Sequence, residues 1–519
     1  MNSSHYRTIQ CWSVVTAILL LLFMLCFPFG YDQAVFAVGG EMIIKTGAID
    51  YRDFLDTKPP VIFFIYGLST CIFGHTEWAI RAFDILFHIG CMWYFYRIMR
   101  RMISDETIAV VTILLYVFIY VMSGFWSTAQ TETFALLPSL VIFDRVELSK
   151  SGKRVVVNGV IVGLAGAILV FLKFTLVMVP VAALLYLLLS NRLKTQFFLG
   201  WIVGLSFPIG CYLVYLLTIG SFERFIEALI WLRGYSSLPN SHPNGLLTDF
   251  CSGLIGIFGL SGIIVGSIGA TALVRDNRSM PYFHLALQFG CSLVAIFLEG
   301  KFFIYHYSRC LWTVVPFIAV GAVDLYHRAA IPMFSTLQRK SNRWSQYINR
   351  GLLCCILLFF SPTAHLHHQL RWLYCRLAGI DIASNYDVFR GNDYYYGDQK
   401  LAATYLQSRS SSIDRTFLWG NGVGLFFWQN TTPPTFCLTN TPFITAWSPL
   451  KWKTDLLDSL HRIVPRFFVC EFSDARPTVT ANTLDSWQCL EQWSELRSFL
   501  EQSYTEDRTI GHFRIFERR

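Results

Sequence analysis

The chain has 519 residues, of which 54% are hydrophobic and 15% are charged, and its formal net charge is +8. Soluble domains have nearer a quarter of charged residues, whereas the apolar residues here form long blocks up to about Ser361. The composition therefore excludes an ordinary soluble protein. The basic residues lie in short loops between apolar blocks, which is the orientation signal of a membrane protein. No nucleic-acid partner is predicted.

A bilayer core about 30 Å thick requires about 20 apolar residues per helix, and eleven blocks of the sequence are predicted to span it. The first is interpreted as an uncleaved helix, because it is too long for the apolar region of a signal peptide. The predicted spans are 11–30, 78–97, 107–125, 132–148, 155–172, 174–190, 197–219, 249–274, 281–299, 309–327 and 349–363.

A further apolar block, 59–74 (PPVIFFIYGLSTCIFG), is short and opens with two prolines, so it is predicted to be an interfacial helix. If this block spanned the membrane, every later loop would change side. With the block left out, the basic cluster at 97–101 and most later basic loops fall inside, as the positive-inside rule requires. We expect a bacterial inner-membrane protein with a cytoplasmic N-terminus and an extracytoplasmic C-terminus, whose long first outer loop is 31–77.

Beyond the apolar blocks, strand and helix patterns alternate, which favours a small α/β layer. We predict a transmembrane domain over 1–364, including the first outer loop, and a soluble extracytoplasmic domain over 365–519. Cys437 and Cys470 are interpreted as core thiols, with a disulfide as the alternative. The turn at Asn421-Gly422 could hold an anion, but an ordinary strand-to-helix loop is favoured. The predicted strands are 415–420, 435–440, 466–472 and 513–518, and the predicted helices are 398–409, 450–463 and 485–502.

Two acidic residues lie at the predicted outer rim of the membrane, where charge is costly. Asp32 follows the first span in GYDQAVFAVGG, and Glu132 opens the fourth in STAQTETF. Together they could hold a divalent cation, or one could accept a proton from an attacking hydroxyl while the other positions it. The alternative is that each acid caps the start of a helix.

Several basic residues lie on the same predicted face. Fixed cations at headgroup depth suit a phosphate group, because its departure requires developing negative charge to be neutralised. Each residue alone is better explained as a snorkelling side chain, but together with the two acids they indicate a site for a lipid phosphate. They are Lys58, Lys173, Arg224, Arg233, Lys301, His306 and Arg309.

Three segments, DTKPPVIFFIYGLSTCIFG, EWAIRAFDIL and GKFFIYHYSRCLWTVVPF, give the chain a family resemblance. In their order and spacing, the chain resembles the GT-C glycosyltransferases related to the protein O-mannosyltransferases and the lipid A aminoarabinose transferase. The resemblance implies a helical polytopic GT-C-like membrane fold with about 11 transmembrane helices and a C-terminal α/β extracytoplasmic domain.

The resemblance also assigns roles by position. Asp32 corresponds to the first-loop acid that acts as base or positions the acceptor, and Glu132 to the second acidic position. One departure concerns the residue after Asp32: many relatives have a second acid there, whereas this chain has Gln33, and Glu41 is the suggested substitute. A metal site at Asp32 and Glu132 is correspondingly open. The implied lipid-phosphate or substrate-binding residues are Lys58, Arg81, Lys301, His306, Tyr307 and Arg309.

We therefore expect an enzyme that transfers a hexose or pentose from a polyprenyl-phosphate carrier to an acceptor hydroxyl, with inversion, on the extracytoplasmic face. The acceptor could be a glycan, a lipid or a protein, and membrane lipids surround the spans. The only cofactor considered is a divalent metal ion. The alternatives are a transporter or flippase of lipid-linked glycans, or a glycan polymerase or ligase.

Overall fold

The computed structural model describes residues 3–103, 105–237, 244–275, 280–330, 370–371, 373–375, 377–380, 394–411 and 413–519. They form two compact units. The helical unit comprises Met1–Phe27, Arg81–Ile209 and Leu246–Gln369, and the mixed unit comprises Pro28–Ile80, Gly210–Gly245 and Leu370–Arg519. The predicted boundary between residues 364 and 365 lies outside the described residues and stays a prediction.

Most of the first fourteen α-helices coincide with the apolar blocks of the sequence. In chain order they are α1 (Ser3–Leu22), α2 (Tyr31–Thr46), α3 (Val61–Phe73), α4 (Glu77–Met102), α5 (Glu106–Met122), α6 (Thr131–Phe134), α7 (Leu136–Ser149), α8 (Val155–Leu172), α9 (Met178–Leu189), α10 (Thr195–Thr218), α11 (Phe222–Ser236), α12 (Leu246–Arg275), α13 (Met280–Glu299) and α14 (Leu311–Leu325). A short 3-10 helix follows α1 at Phe23–Cys26, and two others precede α9 and α14 at Phe174–Val177 and Ile304–Cys310. A π-helix follows α14 at Tyr326–Ala330.

Within the described residues, five helices are long and apolar enough to cross a membrane, or six if α1 and α2 are counted as one broken span. The five are Val155–Leu172, Thr195–Thr218, Leu246–Arg275, Pro281–Glu299 and Ile304–Arg328. The predicted span at 349–363 lies outside the described residues, so the total of eleven remains a prediction.

The predicted first span, 11–30, is too long at its C-terminal end. The helix stops at Leu22, a 3-10 turn ends at Cys26, and a new helix begins at Tyr31. Pro28 explains the break: a proline disfavours helical geometry in the residue before it, and Phe27 is extended at φ −73° and ψ 132°.

The apolar block at 59–74 forms α3, which has thirteen residues and is therefore about 20 Å long. That length falls short of the bilayer core of about 30 Å, as expected for a helix that does not span. In the mixed unit α3 packs closely on α2, because Gly40 and Gly67 meet at the crossing. A Cβ on Gly40 would lie 2.6 Å from the backbone nitrogen of Gly67.

The helical unit is held together by pairs of neighbouring helices. Helix α12 packs on α14, α14 on α5, α7 on α8, and α9 on α13. Their contact faces are apolar and buried, whereas large apolar side chains such as Leu199, Phe207 and Val274 point outward. An apolar exterior around an apolar core is the pattern of a helix bundle that lies in lipid.

The C-terminal residues contribute a four-stranded sheet to the mixed unit. Its strands are β1 (Thr416–Trp419), β2 (Phe467–Glu471), β3 (Tyr504–Ile510) and β4 (Phe513–Arg518), in the spatial order β1-β2-β4-β3. Strands β1 and β2 are parallel and the other pairs antiparallel. The accompanying helices are Tyr396–Arg409, Gly424–Gln429, Thr441–Ile444, Leu450–Ile463, Pro477–Thr480, Ser486–Gln492 and Ser494–Ser503.

Three of the four predicted strands are confirmed, and the one at 435–440 is wrong. Only Cys437 forms a bridge there, to Leu55, and its backbone N–H donates to the hydroxyl of Thr435. Local side-chain hydrogen bonds of this kind compete with strand pairing. The sequence reasoning also missed β3, because its exposed edge residues are charged and polar. Cys437 and Cys470 are both buried free thiols.

The turn at Asn421-Gly422 holds a carboxyl group, which belongs to the protein's own Glu471 side chain. Glu471 Oε2 accepts hydrogen bonds from the backbone N–H groups of Asn421 (2.6 Å) and Gly422 (2.8 Å). Burial, and then the neighbouring charge of Asp474, raise the pKa of Glu471 well above its usual value. The turn is therefore closed by an internal carboxyl group.

This carboxyl should make stability depend on pH. A raised pKa favours folding at low pH, and that contribution is lost as pH rises through the folded-state pKa. Glu471→Gln keeps an acceptor for both N–H groups and cannot ionise. We expect it to raise the apparent Tm of the full-length protein by about 3 °C at pH 8 and by less at pH 5.

Asp414→Asn is the matched control, because the pKa of Asp414 is shifted in the opposite direction to that of Glu471. Hydrogen bonds from the Ser411 backbone and hydroxyl, and then Arg466, lower the pKa of Asp414 to about 2. Its contribution is present above the unfolded-state pKa and is lost only as pH falls toward 2. Asp414→Asn should therefore lower the Tm equally at pH 5 and pH 8. A Glu471→Gln effect that is also independent of pH would contradict the prediction.

Candidate active site

Two of the predicted site residues, Asp32 and Lys58, form a pair in the mixed unit. Asp32 lies in the first turn of α2, where the helix dipole favours a carboxylate. Lys58 precedes the two prolines that lead into α3, and its Nζ lies 3.8 Å from Asp32 Oδ1. The Lys58 and Asp32 side chains are 16% and 19% exposed, so the pair is loose and partly open to solvent.

A second carboxyl group lies beside this pair, although the sequence reasoning did not single it out. Asp56 Oδ1 accepts a hydrogen bond of 2.7 Å from the backbone N–H of Lys58. Burial raises the pKa of Asp56; the ammonium of Lys58 opposes that rise, and the carboxylate of Asp32 adds to it. The first loop therefore has two acids around Lys58, and the DTKPP segment was the signal that could have revealed the second.

The C-terminal residues bring a further cation to the same place. The guanidinium of Arg476 lies 4.6 Å from the ring centroid of Tyr31, the residue before Asp32. The suggested substitute acid, Glu41, has other partners: it pairs with Lys45 at 2.9 Å and with the ring of His75. Asp56 is thus better placed than Glu41 to be a second first-loop acid.

The remaining predicted acid, Glu132, belongs to a buried group of charges in the helical unit, here called the ion cluster: Glu132, Lys173, Glu299 and Arg309. Arg309 Nη2 lies 2.5 Å from Glu132 and 2.7 Å from Glu299. Lys173 Nζ lies 2.7 Å from Glu132 and 2.9 Å from Glu299. Two cations therefore balance two carboxylates at bonding distance.

The ends of four segments supply these charges. Glu132 lies in the first turn of α6, Lys173 follows the last residue of α8, Glu299 ends α13, and Arg309 is in the 3-10 helix before α14. Glu299 stands at the negative end of its helix dipole, which disfavours an acid, so its two cations are required to offset that position. Sequence reasoning missed Glu299 because its partners are remote in the chain.

A metal ion does not fit the ion cluster. Glu132, Glu299 and His306 have ligand atoms within 4.8 Å of one another, a spacing that could suit a divalent ion. However, Lys173 and Arg309 already contact both carboxylates, so an ion placed there would meet two fixed positive charges. The residues of the predicted metal pair, Asp32 and Glu132, lie in different units.

The other predicted binding residues of the helical unit are buried. Tyr307 donates its phenol hydrogen to the backbone oxygen of Phe250 at 2.8 Å. The ring of His306 lies 3.1 Å from Glu299 and 2.7 Å from the backbone oxygen of Lys301. Burial lowers the pKa of Lys301 to about 8, so an anion nearby would stabilise its charged form.

Arg81 connects α4 to the short second loop from which α6 begins. Its guanidinium donates to the backbone oxygen and hydroxyl of Thr128, at 3.2 and 2.9 Å, and to the backbone oxygen of Phe125 at 3.3 Å. One turn along α4, Asp84 accepts a 2.7 Å hydrogen bond from Tyr120 and contacts His88 at 2.8 Å. These buried polar side chains fix the start of α6 and so position Glu132.

The chain was compared with known proteins. The family model described as dolichyl-phosphate-mannose-protein mannosyltransferase matches residues 57–215. ArnT from Cupriavidus metallidurans, solved with undecaprenyl phosphate, is similar over 99% of this chain and 98% of that chain, with a TM-score of 0.60 and 12% identity. The apo form of ArnT gives the same coverage and TM-score at 11% identity.

A weaker likeness links the chain to the archaeal oligosaccharyltransferase AglB from Archaeoglobus fulgidus. It covers 90% of this chain and 70% of that chain, with a TM-score of 0.44 and 12% identity. The sequence has no significant match among curated proteins.

The structure therefore has the fold of a GT-C polytopic membrane protein, with a small sheet in its C-terminal part. The family match over residues 57–215 and the fold confirm the resemblance seen in the DTKPP and EWAIRAFDIL segments. Together with the apolar helices, they make the chain a multi-pass membrane protein.

The ion cluster should be sensitive to any loss of charge balance. Arg309→Met leaves two buried carboxylates facing one cation, and breaking a buried ion pair in this way costs about 3–5 kcal/mol. Adding Glu299→Gln removes the excess negative charge and should recover part of that loss. The measurement is a double-mutant cycle on apparent unfolding temperature in detergent.

Arg275→Met is the control, because Arg275 pairs with Asp324 in the same unit but is 48% exposed. Exposed pairs of this kind contribute about 0–1 kcal/mol. If Arg309→Met destabilised the protein no more than Arg275→Met, the ion cluster would contribute no more to stability than an exposed ion pair.

Proposed function

We propose that the protein transfers a sugar from a polyprenyl-phosphate carrier to an acceptor hydroxyl on the extracytoplasmic face of a bacterial inner membrane. The observation that carries the proposal is the pairing of Asp32 with Lys58, a partly exposed acid and cation in a chain with the GT-C fold. Undecaprenyl phosphate, the lipid in the ArnT complex, is the model for the carrier.

In this proposal Asp32 is the general base. It accepts the proton of the acceptor hydroxyl while the hydroxyl oxygen attacks the anomeric carbon of the donor sugar. The bond from that carbon to the phosphate oxygen breaks, and its electron pair leaves with the lipid phosphate. Attack from the side opposite the phosphate inverts the anomeric configuration. A glycan, a lipid and a protein can each offer the acceptor hydroxyl.

Lys58 neutralises the charge that develops on the leaving phosphate. An ammonium is most useful where charge increases in the transition state, and the loose 3.8 Å contact with Asp32 lets Lys58 turn to a substrate oxygen. Arg476 is a second cation of the same unit, held over Tyr31. The proposed mechanism routes no step through a metal ion.

In the helical unit, Lys301 is the favoured partner for an anionic headgroup. Its ammonium is buried and its pKa is lowered to about 8, so a nearby anion would stabilise its charged form. Arg309 is less suited, because Glu132 and Glu299 already occupy its guanidinium. The ion cluster is accordingly assigned a scaffolding role, with Arg81 as a positioning residue.

The first test measures turnover. Purified full-length protein is incubated with undecaprenyl-phosphate-linked mannose, glucose and aminoarabinose, together with a heat-treated bacterial envelope extract that supplies acceptor hydroxyls, and free undecaprenyl phosphate is quantified by mass spectrometry. Loss of a general base commonly costs about 10²–10⁴-fold in rate, so Asp32→Asn should lower turnover by that order. Lys58→Ala should also reduce turnover, because the leaving phosphate loses its cation.

Lys45→Gln is the matched control. Lys45 is a first-loop cation that pairs with Glu41 and Asn430 and is 42% exposed. It should retain wild-type turnover. Wild-type rates in folded Asp32→Asn and Lys58→Ala would remove the proposed site, and a protein that moves the lipid-linked sugar across vesicles without releasing the lipid phosphate would be a flippase.

The second test concerns orientation. Alkaline phosphatase is active only outside the bacterial cytoplasm, whereas green fluorescent protein exported by the general secretory route stays dark. Fusion to the C-terminus at Arg519 should give active phosphatase and no fluorescence. Fusion after Arg154, in a predicted inner loop, should give the reverse. A fluorescent C-terminal fusion would place the mixed unit inside and contradict the proposed topology.

A further inference from the structure

A polar cleft of about 690 Å³ lies within the mixed unit, apart from Asp32 and Lys58. Three segments distant in the chain form it: the end of α2 with the residues up to Asp53, the start of α11, and the C-terminal residues of 432–462. Pockets of about 300–1,000 Å³ are the usual size for small-molecule sites. The cleft is therefore large enough for one or two sugar rings.

The floor of the cleft is organised around Arg224. Its guanidinium donates to Asp455 at 3.0 Å and to the backbone oxygen of Arg52 at 3.1 Å. It also lies 4.4 Å from the ring centroid of Phe436. The neighbouring Arg52 and Asp53 form a pair at 2.8 Å. Arg224, which the sequence suggested as a phosphate ligand, is thus already paired with a carboxylate.

The helix Leu450–Ile463 lines one wall and presents a further acid and a further base. Asp458 and Arg462 are one turn apart, both exposed, and both line the cleft. Neither forms an ion pair with any residue that the structure describes, so both can bind a ligand. Pro434, which is half-buried, adds an apolar surface beside these charges.

The charges of the cleft balance, and this balance indicates the ligand. Three carboxylates (Asp53, Asp455 and Asp458) face three guanidinium groups (Arg52, Arg224 and Arg462). A phosphate would be repelled by the carboxylates, and a cation by the guanidinium groups. Hydroxyl groups, in contrast, both donate and accept, so each can bridge an acid and a base.

We propose that this cleft binds a neutral carbohydrate, whose hydroxyls contact Asp458 and Arg462 and whose C–H face packs on Pro434. Its assignment as the sugar portion of the acceptor rests on the proposed transferase function. Binding itself does not, because the cleft is complete within the mixed unit.

The test is saturation-transfer NMR on full-length protein in lipid nanodiscs, because sugar-based detergents would compete for the cleft. The probes are the methyl glycosides of mannose, glucose, galactose, N-acetylglucosamine and arabinose, with inorganic phosphate as the anionic comparison. At least one glycoside should bind with a Kd near or below about 10 mM, and phosphate should not compete with it.

Two variants examine the wall residues. Asp458→Asn and Arg462→Gln should each weaken glycoside binding about tenfold, the usual effect of losing a hydrogen bond to a charged group. Lys451→Gln is the control: Lys451 is on the same helix, pairs with Glu223 and is 52% exposed. It should bind like the wild type.

Each result decides one of the two proposals. No bound glycoside, unchanged binding in both wall variants, or displacement by phosphate would overturn the carbohydrate cleft and leave the transferase untouched. Glycoside binding in a protein that releases no lipid phosphate would support the cleft and overturn the transferase. If both stand, the wall variants should raise KM for the acceptor and leave donor binding unchanged.

Discussion

The cost of burying charge is the constraint on which the helical unit depends. An ion taken out of water loses several kcal/mol of hydration free energy, and only close partners of opposite charge can compensate for that loss. Glu132, Lys173, Glu299 and Arg309 are all buried or nearly so, and each contacts both residues of opposite charge. Because they come from the ends of α6, α8 and α13 and from the 3-10 helix before α14, the four segments must meet at one point. The apolar helices supply the driving force for packing, but the ion cluster selects which ends come together.

The mixed unit shows a second form of the same principle, in which the first loop finds its partners among the C-terminal residues. Glu77 pairs with Lys400 at 2.6 Å, Lys45 donates to Asn430 at 3.0 Å, and Arg476 covers Tyr31. The polar groups of the loop are thus satisfied by residues several hundred positions later. The C-terminal residues therefore pack with the first loop inside the mixed unit: Arg476 lies over Tyr31, the neighbour of Asp32, and residues 432–462 form most of the polar cleft.

These long-range pairs also mark what sequence reasoning could reach. Hydropathy predicted the positions of most helices, and the two prolines before α3 indicated a short helix. The residue pattern predicted β1, β2 and β4. Each of these signals is local in the sequence. The pairing of Glu299 with Lys173 and Arg309, and the approach of Arg476 to Tyr31, depend on folding and leave no local trace. Asp56 could have been predicted as a site residue, since it lies two residues before Lys58. A single acid in a loop, however, belongs to no periodic pattern that would indicate its role. The prediction of a strand at 435–440 was wrong because its apolar residues are buried but do not pair with a neighbouring strand beyond one isolated bridge.

The ion cluster and the Asp32–Lys58 pair differ in how tightly their charges are paired, and this difference favours different roles. In the ion cluster, contacts of 2.5–2.9 Å and near-complete burial leave no charge for a substrate, and a new anion would have to displace a carboxylate first. Asp32 and Lys58 are 3.8 Å apart and partly solvated, so their mutual attraction is weaker than that within the ion cluster. A transferase needs both properties: a base and a cation that can engage the substrate, and a scaffold that does not respond to it. Reactivity is therefore expected at the loosely paired charges, and rigidity at the tightly paired ones.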